Sequence, residues 1–292
     1  MRLLDTHHHL DFLPPGERGE FLAQLALDDV HLIAQTTTPS GFLRLEEELA
    51  AAALSPDVSA DVRTEAAPAL AGVSVGFHPW YIGEDYEAEL EVFADALQRT
   101  RLVGEVGLDF APRRLEAVPA ERQEAVLRGV LEAASAREGA AAGDAAHPVV
   151  LSIHTVRSAG QVLDLLADYG ALGCGEKPAA GGGIVPVFHR FGGTSDELTH
   201  LIRGGGFISV NPLMLGTKKG RAYVTQVPAS RLLLESDLPP DNPAEGRGGE
   251  HAAQLRRVLA ETVTQLADVR GCGEEELAQL LQENSRALYG CG

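Results

Sequence analysis

The run Asp5-Thr6-His7-His8-His9 is the first stretch whose residue types could do chemistry. In an extended strand, side chains two residues apart point to one face. His7 and His9 can then bind one metal ion together, while His8 points the other way, toward packing or a contact behind the ligands. Imidazole suits zinc and other transition metals, and carboxylates widen the choice to Mn²⁺ or Mg²⁺. Glu105 is such a carboxylate, set between glycines in Val103-Gly104-Glu105-Val106-Gly107. Withdrawn from water, it needs a cation or hydrogen-bond donors to offset its desolvation. It either bridges two metal ions or pairs with an arginine such as Arg113. His154 and His189 close the apolar runs Val149 to Ile153 and Val185 to Phe188. A lone histidine in such a place is more often a hydrogen-bonded core residue, but two of them beside His7, His9 and Glu105 point to ligands. Asp237 follows Leu232 to Ser236, where its carboxylate can bind an ion and take a proton from an attacking water.

These residues need a scaffold that gathers distant segments at one place. Short β-branched runs alternate along the chain with longer amphipathic stretches, the pattern of βα units around a parallel sheet. Eight strands are expected, over Arg2 to His7, His31 to Thr38, Gly72 to Phe77, Leu102 to Glu105, Val149 to His154, Ile184 to His189, Phe207 to Val210 and Arg231 to Ser236. Helical patterns separate them, and a last one over Glu274 to Leu288 is placed to close the barrel's floor or side. The fold class predicted is α/β, a (β/α)₈ TIM barrel over residues 1–292 as a single domain. His7, His9, His78, Glu105, His154, His189, Asn211 and Asp237 then sit at or just past the C-terminal ends of strands, where barrel enzymes keep their active sites. Ala/Gly/Pro-rich stretches near Ser55 to Pro68, Gly139 to His147 and Ala171 to Gly183 read as loops within that domain.

The chain has 292 residues, of which 45% are hydrophobic and 23% charged, enough for one sizeable core. No apolar run approaches the roughly 18 residues a membrane span needs. Met1-Arg2-Leu3-Leu4 runs into Asp5 with no apolar leader, so a cytoplasmic protein with no membrane partner is expected. Three cysteines (Cys174, Cys272 and Cys291) have neither metal-ligand spacing nor an even number, which argues against a disulfide framework. A net charge of -18 excludes the broad basic footprint of a non-specific DNA binder, though not a nucleic acid held locally by ions and a few arginines.

The segments Asp5-Thr6-His7-His8-His9-Leu10-Asp11, Gly76-Phe77-His78-Pro79, Gly104 to Asp109, Ile153-His154, His189 to Gly193 and Glu235-Ser236-Asp237-Leu238-Pro239 together resemble the TatD family of metal-dependent deoxyribonucleases, within the amidohydrolase superfamily. Asn284 in the last helix matches a family asparagine as well. The resemblance implies two divalent metal ions, Mg²⁺, Mn²⁺ or Zn²⁺. His7, His9, Glu105 and Asp237 would hold one, and Glu105, His154 and His189 the other. It makes Glu105 and Asp237 the catalytic carboxylates and sets His78 against a substrate phosphate or an ion-bound water. Gln35 to Ser40 and Ser209 to Pro212 are similar to TatD-type nucleases of bacterial phage-defence operons (the Qat type). That similarity implies antiviral defence and protein partners from such an operon.

The chain departs from the family where substrate is handled. The family arginine two residues after His154 is Val156 here, with Arg157 beside it. Arg190 stands where the family has cysteine and offers a replacement charge, or else is a solvated loop residue. Asn211 is a further candidate substrate contact. Thr194-Ser195-Asp196-Glu197 reads as a capping box, and Lys218-Lys219-Gly220-Arg221 as a helix start or a phosphate site. Three functions follow. The first is a DNase acting on DNA, single-stranded or at strand ends, as an exonuclease. The second is a metallohydrolase of a small ester, lactone or amide, against which the lack of a strand-end lysine counts. The third is a metal-binding partner subunit with little activity alone.

Overall fold

The computed structural model describes residues 2–54, 69–140, 147–173, 183–241 and 246–290. Most of the three Ala/Gly/Pro-rich stretches, with Cys174 and Cys291, lies outside them. Eight strands run as β1 (Leu3–His8), β2 (Val30–Gln35), β3 (Leu70–Phe77), β4 (Leu102–Asp109), β5 (Val149–Val156), β6 (Ile184–His189), β7 (Phe207–Val210) and β8 (Leu232–Leu234). All neighbouring pairs are parallel, in the order β1 to β8. The two ends of the sheet meet at a bridge between His8 and Leu238 and a hydrogen bond from Asp237 N to His7 O. The eight strands therefore form a nearly closed (β/α)₈ barrel, as expected.

Eleven α-helices are described: α1 (Pro15–Leu27), α2 (Pro39–Leu54), α3 (Tyr86–Ala96), α4 (Pro112–Ala117), α5 (Ala120–Ala140), α6 (Ala159–Asp168), α7 (Ser195–Arg203), α8 (Pro212–Leu215), α9 (Lys218–Gln226), α10 (Gly248–Arg270) and α11 (Glu274–Tyr289). Two were not legible as helical periods: α4 and α8 span six and four residues, too short to show one. α9 begins at Lys218, where the basic run read as a helix start or a phosphate site. Proline at the first helical position opens α4 and α8, where its missing N–H costs no hydrogen bond.

Two apolar layers hold the barrel. The larger lies between strands and helices and includes Leu3, Val103, Val106 and Leu108 with Phe21, Phe93 and Leu163. The smaller fills the lower interior with Leu4, Ile33, Leu102, Val150, Val185, Phe207 and Leu233, and Leu288 and Tyr289 of α11 pack beneath it. That helix is the floor of the barrel. Asn284 ties it in, donating from Nδ2 to the carbonyls of Ala229 and Leu232 at 2.8 Å each.

Alternation along the strands carries this apolar layer upward into a polar one. On β5 the inward series Val150, Ser152, His154 is unbroken, and on β6 so is Val185, Val187, His189. β1 and β4 behave differently. Between Asp5 and His8, and again between Val103 and Val106, three steps along the strand match two on its neighbour. Each extra residue is a bulge that reverses which side chains face inward. Plain alternation from Leu4 and Leu102 would have turned His7, His9 and Glu105 out of the barrel.

Candidate metal centre

Glu105 stands at the middle of the polar layer, 4% exposed, with its two oxygens facing different histidines. Oε2 lies 3.4 Å from His7 Nε2 and 3.5 Å from His9 Nε2. Oε1 lies 2.7 Å from His154 Nδ1, 3.1 Å from His189 Nε2 and 3.4 Å from His78 Nε2. Asp237 completes the first set, with Oδ1 3.9 Å from His7 Nε2 and 3.7 Å from His9 Nε2. Arg113, the alternative partner for Glu105, is exposed on α4, so the ion-pair reading with that arginine does not hold.

The backbone around Glu105 needs its glycines. Gly104 and Gly107 have φ of +146° and +144°, and a Cβ on Gly107 would meet the His154 carbonyl oxygen at 2.0 Å. Only glycine takes that conformation at no cost and allows the strands so close.

Hydrogen bonds behind the histidines decide which nitrogen is free. His9 Nδ1 lies 3.3 Å from the Gln35 carbonyl, which can only accept, so Nδ1 carries the proton and Nε2 a lone pair. His189 Nδ1 faces Glu235 Oε1 at 3.6 Å and His154 Nε2 faces Asp109 Oδ2 at 3.6 Å, leaving the opposite nitrogen of each ring toward Glu105. His7 Nδ1 meets Ser152 Oγ at 2.8 Å. Carboxylate or carbonyl behind imidazole is the usual support of a metal ligand. His78 is the exception. Its Nδ1 accepts from Trp80 N at 3.1 Å, so Nε2 holds a proton and is a donor.

A cation fits this donor set. His7 Nε2 is fully buried and has no hydrogen-bond partner, an arrangement that costs about 1–3 kcal/mol unless something binds there. The nearest carboxylate oxygens, 3.4 Å away on Glu105 and 3.9 Å away on Asp237, make no hydrogen bond with it, and His9 Nε2 stands 3.5 and 3.7 Å from the same two oxygens. These separations are close to the roughly 3.3 Å between two donors each about 2.0 Å from one tetrahedral ion. Among the described residues three groups have donor atoms within reach of one ion: His7, His9, Glu105; His7, His189, Glu235; and His78, Glu105, His154, the last including the His78 ring whose Nε2 is a donor.

Charge is unevenly shared among the histidines. Burial lowers His9 to about 4 and lowers His78 as well. Burial also acts on His189 and His154, but the carboxylates of Glu105 and Glu235 outweigh it for the first. Asp109 and Glu105 outweigh it for the second, and both rings end above the ordinary histidine value. His78, His189 and His154 together overcome the burial of Glu105 and hold its carboxyl well below the usual range.

Several supporting residues had no role in the sequence reading. Glu235 is fully buried, accepting from Ser209 Oγ and from Asn211 Nδ2 at 3.0 Å while it faces His189. Asp5 joins β1 to the segment after β8. Its Oδ1 accepts from the backbone N–H of His7 and Ser236 at 3.0 Å each, and Oδ2 from Ser236 Oγ at 2.5 Å. Burial raises that carboxyl to about 7 although these donors oppose it. Glu235, Asp109 and Asp5 all lay inside the motifs, but what a carboxylate supports depends on its neighbours across strands.

The substrate-contact candidates separate. Asn211, a candidate substrate contact, is buried, capping α8 through Oδ1 on Met214 N and holding Glu235 through Nδ2, so both its polar atoms are engaged by protein. Gln35 and Ser209, in the runs that suggested a defence-operon subtype, are likewise used internally, Gln35 on Thr6 O and Ser209 on Glu235. Arg190 lies at the mouth, its Nη1 3.2 Å from Asp237 Oδ2. Arg157 is exposed just after β5. His8 turns away from the ligands and stacks on Phe21 with ring centroids 5.1 Å apart. Thr194 and Glu197 form the expected capping box of α7.

Above Glu105 a cavity of about 820 Å³ opens to solvent, bounded by His78, Trp80, Tyr81, Arg190, Leu213 and Asp237 among others. No helix among the described residues is long and apolar enough to cross a membrane.

A family model described as "TatD related DNase" matches residues 4–290. The 3'-5' ssDNA/RNA exonuclease TatD of Dickeya dadantii is 28% identical over 238 residues, covering 77% of this chain and 79% of that protein. The metal-dependent hydrolase YcfH of Escherichia coli K12 is 26% identical over 296 residues, covering 99% of this chain and 96% of the relative. Among solved structures, the TatD homologue YJJV from Escherichia coli K12 is 25% identical with a TM-score of 0.70, covering 100% of this chain and 99% of the other. A TatD family hydrolase from Entamoeba histolytica shares the fold at 17% identity and a TM-score of 0.71, covering 99% of this chain and 98% of that one.

Proposed function

Because this chain belongs to the family of TatD related DNases, which are metal-dependent hydrolases, we propose that it cuts phosphodiester bonds of DNA from a single-stranded end, using two divalent ions. The observation that carries this reading is the division of Glu105. One oxygen faces His7 and His9, and the other faces His154 and His189. In this reading His7, His9, Glu105 and Asp237 hold one ion, and Glu105, His154 and His189 the other. Four imidazoles suit Zn²⁺, and the carboxylates leave Mn²⁺ or Mg²⁺ open. Bound there, the ions would supply Lewis acidity and a water of lowered pKa beside the phosphorus.

The protein's own groups do the rest. Asp237 is 22% exposed, unlike the buried ligands, and its Oδ2, turned from His7 and His9 and paired with Arg190, would take the proton of the attacking water once that guanidinium turns to a phosphate. His78 donates from Nε2–H to a non-bridging phosphate oxygen. Arg190 at the rim, and Arg157 further out, attract the phosphates that follow. Sinking the ligands beneath a walled mouth favours an unpaired end over the interior of a duplex. The exonuclease activity named for the Dickeya relative agrees with that access.

A time course on end-labelled single- and double-stranded DNA tests the reading, with Mg²⁺, Mn²⁺, Zn²⁺ or EDTA, beside Glu105→Ala. Metal-dependent shortening of the single strand that Glu105→Ala abolishes is expected. If folded, metal-loaded protein leaves every strand intact, the substrate is instead a small ester, lactone or amide, or a partner protein is required.

A further inference from the structure

Four large apolar side chains are exposed among the described residues: Leu27, Trp80, Tyr81 and Leu213. Three of them, all except Leu27, line the cavity above Glu105. Trp80 and Tyr81 follow β3, and Leu213 follows β7. With strands in the order β1 to β8, these positions are four strands apart and face each other across the mouth.

The Trp80 ring is held still. Its Nε1 donates to Asp109 Oδ2 at 2.6 Å, and the Arg114 guanidinium lies 3.5 Å from its centroid, over one face. Tyr81 is tied across the mouth by its hydroxyl, 3.2 Å from Asp241 Oδ1. With their polar atoms engaged by protein, both rings offer the cavity only flat apolar surface. An immobilised ring loses little entropy when a flat partner stacks on it.

Resting on the nuclease reading above, we propose that Trp80 and Tyr81 on one rim and Leu213 on the other grip the unpaired bases flanking the phosphodiester being cut. A base inside a duplex has both faces covered by neighbours, whereas a base at a single-stranded end can offer one to an aromatic side chain. The chain's charge makes such a grip necessary. At -18 overall it has no broad positive field to draw in a polyanion, so affinity must come from local contacts. Stacking supplies them without regard to sequence, which suits an enzyme that shortens strands of any composition.

Trp80 is the only tryptophan of the chain, so its fluorescence reports contact directly. The metal-loaded full chain is titrated with phosphorothioate-linked oligothymidine, which resists hydrolysis, and with a phosphorothioate strand of equal length and charge built from abasic residues. The thymidine strand is expected to quench Trp80 and to bind at least about 10-fold more tightly than the abasic one. Leu213→Ala, on an exposed position where folding is not at stake, should narrow that gap, as should Tyr81→Ala. Trp80→Phe, which keeps a ring, should preserve more of it than Trp80→Leu. Equal binding of both strands with Trp80 unquenched overturns the grip. If ordinary DNA is still hydrolysed in that case, the nuclease reading stands without it. Quenching by the thymidine strand in a protein that hydrolyses no DNA supports the base contact and overturns the nuclease reading.

Discussion

Arg190 Nη1 lies 3.2 Å from Asp237 Oδ2, and both residues turn away from their strands with positive φ, 48° and 60°. The guanidinium is thus held against the proposed proton acceptor while it borders the open cavity. It can neutralise Asp237, or it can turn to a phosphate once an ion engages that carboxylate.

Arg190→Ala separates these roles. Loss of a phosphate contact raises KM for single-stranded DNA and flattens the plot of log KM against log salt by about 0.7. Loss of a partner for Asp237 alone moves kcat and leaves the salt slope unchanged. Steady-state kinetics from 50 to 300 mM salt distinguishes the two, and the flattened slope is expected.

Glu235 orients His189 from behind and is itself fully buried. Replacing it by glutamine leaves a buried side chain of the same size but without the charge, so metal affinity at the His154–His189 half should fall about 10- to 100-fold. The His7–His9 half should be nearly unaffected. Calorimetric titration with Zn²⁺ or Mn²⁺ reads both, and equal weakening of the two halves would contradict a role through His189.

Metal loading should depend on pH differently in the two halves. His154 and His189 are held above the ordinary histidine value, so an ion must displace protons there, and its affinity rises with pH. His9, lowered to about 4, is already neutral in weak acid. Lowering the pH from 8 to 5.5 should therefore empty the His154–His189 half first. Metal content after dialysis across that range measures it, and simultaneous emptying would count against the assignment.

Gly107→Ala probes the backbone rather than the ligands. The new Cβ would meet the His154 carbonyl at 2.0 Å in a conformation with φ of +144°. A loss of about 3 kcal/mol or more in unfolding free energy is expected, together with weaker metal binding as His154 is displaced. Denaturant melts set beside Gly192→Ala, where a Cβ meets nothing within 4 Å, would check it.

Much of this architecture was legible because local physics reports it. The strands β6 and β7 were read to the residue, since short apolar runs flanked by polar loops leave little choice of boundary. β4 was cut short at Glu105, because a charged residue ordinarily ends an apolar run, yet the strand continues to Asp109 inside the barrel. Asn211 looked like a ligand-facing amide from its place at a strand end. The backbone turns there, and the amide was needed to cap α8 and support Glu235.

By itself the sequence determined the number of strands, the residues near their ends, and the fact that His7 and His9 share a face while His8 takes the other. It could not say which face was inward, because alternation has period two and no origin. Two bulges, between Asp5 and His8 and between Val103 and Val106, decided that His7, His9 and Glu105 point into the barrel. A bulge is a mismatch between neighbouring strands, so it exists only once the strands are paired. The same holds for the carbonyl and carboxylates behind the histidines, which come from other strands or the segment after β8 and settle which nitrogen is free. Residue identity set what chemistry was available, and strand pairing set where it points.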